Sequence, residues 1–161
     1  MRSRTDPFDA DSVAAIIVTH DARYLMQRRD DSPGVDFPGM WGLFGGSAEL
    51  GEEAEQAMRR ELQEELSFSP ESLLEIATLV YDERATGGWY CRRRFFEVVI
   101  DDEDVARFVL AEGAEMALFA VPGIAAIGND AIPYDLCAIL MHDRRVSSRE
   151  ALRARNFGTI K

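Results

Sequence analysis

Several kinds of residue are scarce in this sequence, and each shortage removes a class of function. Only two cysteines occur, Cys91 and Cys137, far apart and outside any CxxC or Cys/His metal spacing. A disulfide framework needs more thiols than that, so both are read as reduced residues in strand or helix surroundings. No apolar run approaches the roughly 20 residues that span a bilayer, which argues against a membrane partner. The opening MRSRTDPFDADS lacks the apolar stretch of a secretory signal, and a cytoplasmic location is the expectation. Positive charge is also short: 18 Lys and Arg stand against 29 Asp and Glu, for a formal net charge of −11. Such an acidic surface repels phosphate backbones and argues against duplex nucleic acid held on a broad basic patch. It leaves room for a small phosphorylated ligand, because a divalent cation screens charge locally and is itself bound by acidic groups.

What is present reads as one mixed α and β domain over residues 1–161, with loosely held ends at 1–11 and 147–161. Ser12–Thr19 is rich in Val and Ile and reads as a buried strand, and Tyr24–Arg29 returns as the second arm of a hairpin. Asp30–Met40 contains two Pro-Gly pairs and must be loop. Trp41–Phe44 is short and extended, and Gly45-Gly46 interrupts it. From Glu52 to Leu66 the residues are strong helix formers, with Ala54, Met58, Leu62 and Leu66 as an apolar stripe. Leu73–Arg84 and Trp89–Asp101 form a hairpin across Ala85–Gly88. Glu112–Gly123 reads mostly as loop around the apolar run Met116–Val121. Tyr134–Arg145 reads as a closing helix followed by a polar tail.

The chemistry concentrates in Gly46–Phe68. Glu61, Glu64 and Glu65 fall at i, i+3 and i+4 of one helix, so at roughly 100° per residue they share one flank beside Met58 and Leu62. Like charges so placed repel by a few tenths of a kcal/mol per pair, a penalty that a hard cation removes. Glu65 is nearest the apolar stripe and should be the least solvated, a position that calls for a partner. A solvated, Glu-rich helix face is the plain alternative. The order of unlike elements weighs against it: a Gly-Gly turn, an acidic helix start, then Arg-Glu-Leu-x-Glu-Glu.

That segment resembles the signature of the Nudix hydrolase family, in which a glycine and a glutamate precede the run Arg-Glu-apolar-x-Glu-Glu-x-Gly-apolar. Gly46, Glu52, Arg60, Glu61, Leu62, Glu64, Glu65 and Phe68 meet the pattern, and Ser67 replaces its second glycine. The flanks agree, with Gln27-Arg28-Arg29 upstream, Trp41 before the double glycine, and Glu112-Gly113-Ala114-Glu115 ahead of Phe119. The resemblance thus covers about Val13 to Leu140. It implies an α+β fold, an α/β/α sandwich around a mixed β-sheet.

The same resemblance implies a Mg²⁺-dependent hydrolase, with Mn²⁺ as a substitute, acting on the pyrophosphate linkage of a small nucleotide-type substrate. A nucleoside triphosphate is favoured over a nucleotide sugar, a dinucleoside polyphosphate or ADP-ribose. Glu61, Glu64 and Glu65 are the implied metal ligands, with the carbonyl of Gly45 or Gly46 as a further ligand. Arg60 is expected to orient the carboxylates by pairing with Glu64, and Glu52 to hold a water or the adjoining loop. Glu112, ahead of Glu115, is the choice for an added ligand or general base.

Arg29, Arg92 and Arg94 are candidates for substrate phosphates, Arg92 and Arg94 sharing a strand face opposite Arg93. Pairing of these arginines with Asp and Glu on an exposed strand is the competing use. Trp41 is a candidate base-stacking residue, as are Tyr81, Trp89 and Tyr90. Core packing or a homodimer interface is the expected use of most of the four. His20 and His142 have no partner spaced for a nucleophile–base pair. A catalytically silent nucleotide-binding or regulatory module on the same fold is the rival reading. Ser67 should adopt a left-handed conformation just past the helix, at a cost of about 1 kcal/mol relative to glycine.

Overall fold

The computed structural model describes residues 7–157, the stretch 149–157 by backbone alone. Strand β1 (Ala10–Thr19) turns into β2 (Arg23–Arg28), and β3 (Trp41–Gly42) follows the Pro-Gly loop. Helix α1 (Ala54–Leu66) leads to the hairpin β4 (Leu74–Asp82) and β5 (Tyr90–Ile100). A short α2 (Asp102–Val105), β6 (Glu115–Ala120), α3 (Val121–Ile127) and a long α4 (Pro133–Phe157) complete the chain. The sheet is mixed: β1 runs parallel to β5 over their full register, while β1–β2, β2–β3, β2–β6 and β4–β5 are antiparallel.

Alternation along β1 explains the two layers. Val13, Ala15 and Ile17 pack with Leu25, Phe96 and Val98 against the Ala54, Met58, Leu62 and Leu66 stripe of α1. Ala14, Ile16 and Val18 pack on the other face with Phe95, Ile124 of α3, and Ala138 and Ile139 of α4. Every residue of β1 from Val13 onward is buried, because both faces of the strand are covered by helices. The expected sandwich is the one observed.

Three elements differ from the sequence-based expectation. The run read mostly as loop contains β6, which pairs with the whole of β2 from Arg23↔Ala120 to Arg28↔Glu115. The closing helix continues beyond Arg145 to Phe157, and β1 begins at Ala10, so regular structure enters both ends that were expected to be loose. The outermost parts of those ends, residues 1–6 and 158–161, lie outside the described residues. His142 does have partners: it is buried between the hydroxyl of Tyr24 at 2.9 Å and a carboxylate oxygen of Glu97 at 2.6 Å. That network ties α4 to β2 and β5.

Helix α1 starts where Gln56 accepts the backbone N–H of Glu53. It ends at Ser67, which has φ 52° and ψ 37°. The N–H groups of Ser67 and Phe68 close on the carbonyls of Gln63 and Leu62. A side chain in that left-handed region is disfavoured, so Ser67→Gly should raise unfolding stability by about 1 kcal/mol. A urea melt read at constant slope checks it, and an unchanged midpoint would mean that Ser67 is not strained.

Candidate active site

The site forms where two strands part. β1 and β2 pair at Ile17↔Leu25 and Val18↔Tyr24, and the segment from Trp41 to Ser47 enters the gap beyond. It pairs with β2 through Trp41 and Gly42 and with β1 through bridges at Phe44 and Ser47. Gly45 lies in this wedge with φ 137°, and a Cβ there would sit 2.2 Å from the carbonyl oxygen of Val13. Only glycine lets the chain pass so close to β1. The amide of Gly45 then points away from β1 and donates to Glu65 Oε2 at 2.7 Å.

Glu65 is 5% exposed, although it belongs to the polar flank of α1. Its other oxygen accepts from Gln27 Nε2 at 3.1 Å. Burial pushes its carboxyl up to about 7, and the charges of Glu61 and Glu112 add to the rise against the two hydrogen bonds. Glu61 is also raised, mainly by burial, with Arg60 opposing and Glu64 and Glu112 adding to it. Gly46 lies against the Glu61 carboxylate so closely that a Cβ would meet all three of its atoms at 2.6 to 2.7 Å. The Gly46 carbonyl accepts the N–H of Val13 at 2.9 Å, which leaves one lone pair of that oxygen.

Arg60 gathers the acidic flank. Its guanidinium donates to both oxygens of Glu52 at 3.0 Å, to Glu61 at 2.8 Å, to Glu64 at 3.0 Å and to the carbonyl of Ser47 at 3.0 Å. The expected Arg60–Glu64 pair is therefore present, but the bidentate partner is Glu52. The Arg60 bonds first, and a backbone bond near Glu49 next, hold the Glu52 carboxyl below its ordinary value. Glu64 is more than half exposed.

Glu112 lies in the loop ahead of β6. The N–H groups of Val109 and Ala111 bond to the carbonyls of Leu66 and Glu65, and that of Ala114 bonds to Arg28. The loop is thus anchored to the end of α1 and to β2, which brings the Glu112 charge into the field of Glu61 and Glu65. Glu115 is held apart by Arg28 at 3.3 Å.

The arginine and aromatic candidates divide. Arg29 follows β2, and its Nε is buried with no hydrogen-bond partner among the described residues. Arg92 and Arg94 share a face as expected, and Asp11 pairs with both, Arg92 Nε at 3.1 Å and Arg94 at 3.9 Å. Arg93, on the opposite face, forms a buried pair with Asp135 at 3.0 Å. Trp41 packs edge-on against Phe119 at 4.9 Å on the α3 and α4 side, and Tyr81 stacks on Tyr134 at 4.7 Å.

Gln27 is the site residue that sequence reasoning passed over as a mere flank. The signal was present: a polar residue two positions after the inward-facing Leu25, on the face that meets α1. No helix among the described residues is long and apolar enough to cross a membrane.

All the side-chain donors are oxygens, and Glu65 is buried with its charged form disfavoured, which suits a hard divalent cation. Glu61 and Glu64 turn toward Arg60, and among the described residues no three acid, His or Cys side chains already close on one point. The set therefore fits in donor chemistry and burial, with Arg60 standing where positive charge is needed.

The NUDIX domain family model matches residues 9–124. The nucleoside triphosphatase NudI of Escherichia coli (strain SE11) is 42% identical over 66 residues, 41% of this chain and 41% of that protein. The match thus spans less than half the length of these curated relatives. A mutT/nudix family protein from Listeria innocua superposes with a TM-score of 0.71 at 21% identity, over 89% of this chain and 98% of that one. The NUDIX domain of Shewanella oneidensis NrtR, crystallised with ADP ribose, gives 0.69 at 22%, over 89% and 94%. At those identities the two structures bear on the fold alone.

Proposed function

This chain belongs to the NUDIX domain family, and on that premise we propose that it is a Mg²⁺-dependent pyrophosphohydrolase acting on nucleoside triphosphates. The observation that carries the reading is the buried Glu65, pinned at both oxygens and facing the charges of Glu61 and Glu112. A buried acid in the field of other acids is either held neutral or paired with a cation, and a bound divalent ion would stabilise its charged form.

Glu61, Glu64 and Glu65 would hold the ion, with the free lone pair of the Gly46 carbonyl as a further donor. A divalent cation held by these residues would supply charge neutralisation for the phosphates and make water easier to deprotonate. Arg60 and Glu52 lock the flank of α1, so that Glu61 is presented against Gly46. Glu112, brought in by its loop, takes the proton of the attacking water. Arg29, the residue after β2, is the candidate donor to a phosphate oxygen. The proposed outcome is cleavage of one P–O bond by water, giving a nucleoside monophosphate and pyrophosphate. The likeness to nucleoside triphosphatase NudI supports the substrate class.

The test is product release across nucleoside triphosphates, nucleotide sugars, dinucleoside polyphosphates and ADP-ribose, with Mg²⁺ and with a chelator. Triphosphate turnover that needs Mg²⁺ is expected. Turnover of another class alone would overturn the substrate, and a silent panel with metal still bound would favour a nucleotide-binding module.

A further inference from the structure

We propose that Gln27 is a positioning residue of this site: it fixes the Glu65 carboxylate in its ligand orientation and seats the Glu112 loop against it. This rests on the carboxylate reading above. Gln27 is 3% exposed, and its backbone is held on both edges, opposite Gly42 of β3 and Met116 of β6. It is therefore a rigid point between the wedge and the loop.

The direction of its amide follows from its neighbours. The nitrogen lies 3.1 Å from Glu65 Oε1 and 3.4 Å from the carbonyl of Leu43, both acceptors, so the NH₂ end must face them. The terminal torsion of a glutamate is soft, and one hydrogen bond leaves its carboxylate free to rotate. Gly45 holds Oε2 and Gln27 holds Oε1, so rotation would break one bond or the other. The remaining lone pairs of both oxygens are then aimed in a set direction. An apolar side chain could fill the same space without burying an amide. What it could not do is hold that orientation.

The carbonyl end of the same amide meets the loop. Gly113 has φ +84°, and a Cβ there would come within 2.8 Å of Gln27 Oε1 and 2.9 Å of the Arg28 carbonyl. Glycine at 113 lets the loop close over Gln27, from the Glu65 carbonyl at Ala111 to the Arg28 carbonyl at Ala114. Glu112 is carried across the side chain that holds Glu65.

Calorimetric titration of the intact chain with Mn²⁺ tests this, using the parent, Gln27→Met, Gln27→Asn and Glu65→Gln. Weaker binding by about 10- to 100-fold is expected for both Gln27 variants, the usual effect of removing a group that orients a ligand. Stoichiometry should be unchanged, since a merely structural role would lower the fraction of competent protein without altering the dissociation constant. In turnover, kcat should fall while KM for the nucleotide holds. Parent-like affinity in the folded variants overturns the positioning role, and Gln27→Asn decides alone if Gln27→Met does not fold. Weak binding by Glu65→Gln beside parent-like Gln27 variants would overturn this inference only. Parent-like binding by Glu65→Gln would overturn the carboxylate reading and this inference together.

Discussion

Glu65→Gln is expected to lower nucleotide hydrolysis on the order of 10³-fold while the fold persists. A divalent cation supplies several kcal/mol of charge stabilisation to phosphoryl transfer, and each 1.4 kcal/mol or so is about tenfold in rate. Glutamine is close in shape and can still accept from Gly45, but its NH₂ then faces the NH₂ of Gln27, so one hydrogen bond is lost at every pH, a cost of about 1 kcal/mol. The same variant has an opposite effect on the metal-free protein. The Glu65 carboxyl moves from an ordinary 4.5 to about 7 on folding. Below pH 4.5 or so it is protonated in both states and contributes no difference. Between there and about pH 7 the unfolded chain releases a proton that the folded chain keeps, so stability falls as pH rises. Above 7 the loss is complete, on the order of 3 kcal/mol. In chelator, Glu65→Gln should therefore unfold at higher urea than the parent at pH 8, with the gap narrowing toward pH 5. Mg²⁺ should reverse that ranking at pH 8. Near-parental activity in the variant would mean that Glu65 is not a ligand, and a gap independent of pH would mean that it is not the buried acid described.

Gly45→Ala should destabilise the protein by about 3 kcal/mol or more, whereas Gly46→Ala should keep the fold and weaken metal binding. At Gly45 the added carbon would lie 2.2 Å from the Val13 carbonyl and 2.9 Å from Ala14 Cα, both β1 backbone, at a φ that L side chains avoid. Relief requires moving the wedge out of the sheet, which combines overpacking with backbone strain. At Gly46 the obstacle is the far end of Glu61, which can swing aside. The cost then appears in the position of a ligand. Urea unfolding and Mn²⁺ titration of both variants separate the effects. Equal stability of the two would contradict the close approach at Gly45, and unaltered Mn²⁺ affinity in Gly46→Ala would remove Glu61 from the ligand set.

The parts of the site that were legible in the sequence are those within one helix. The stripe Ala54, Met58, Leu62 and Leu66 is the buried face observed. The spacing that set Glu65 nearest that stripe also made it the most buried acid of α1, and the Arg60–Glu64 pair follows from i, i+4 geometry. Helical periodicity converts such spacings directly into neighbours. Strand β6 was missed because Met116–Val121 is a short apolar run, which periodicity cannot distinguish from buried loop or helix. It becomes a strand because β2 offers an edge along its whole length. The closing helix was placed but its run past Arg145 was not, because the polar residues that follow read as a tail, although serine at 147 and 148 costs a helix interior only about 0.5 kcal/mol each.

By itself, then, the sequence determined the acidic flank of α1, the glycines ahead of it and the alternation that buries β1 on two faces, since each depends on residues a few positions apart. Tertiary structure alone decided the rest. Glu52 became the bidentate partner of Arg60 through the turn before α1. Asp11 took up Arg92 and Arg94 because β1 and β5 run parallel in register. Gln27 met Glu65 because the inner face of β2 packs on α1, and Glu112 came into its field because β6 pairs with β2 and draws the preceding loop to the end of α1. Contacts between residues so far apart in sequence leave no periodic trace, and only the closing of the sheet brings them together.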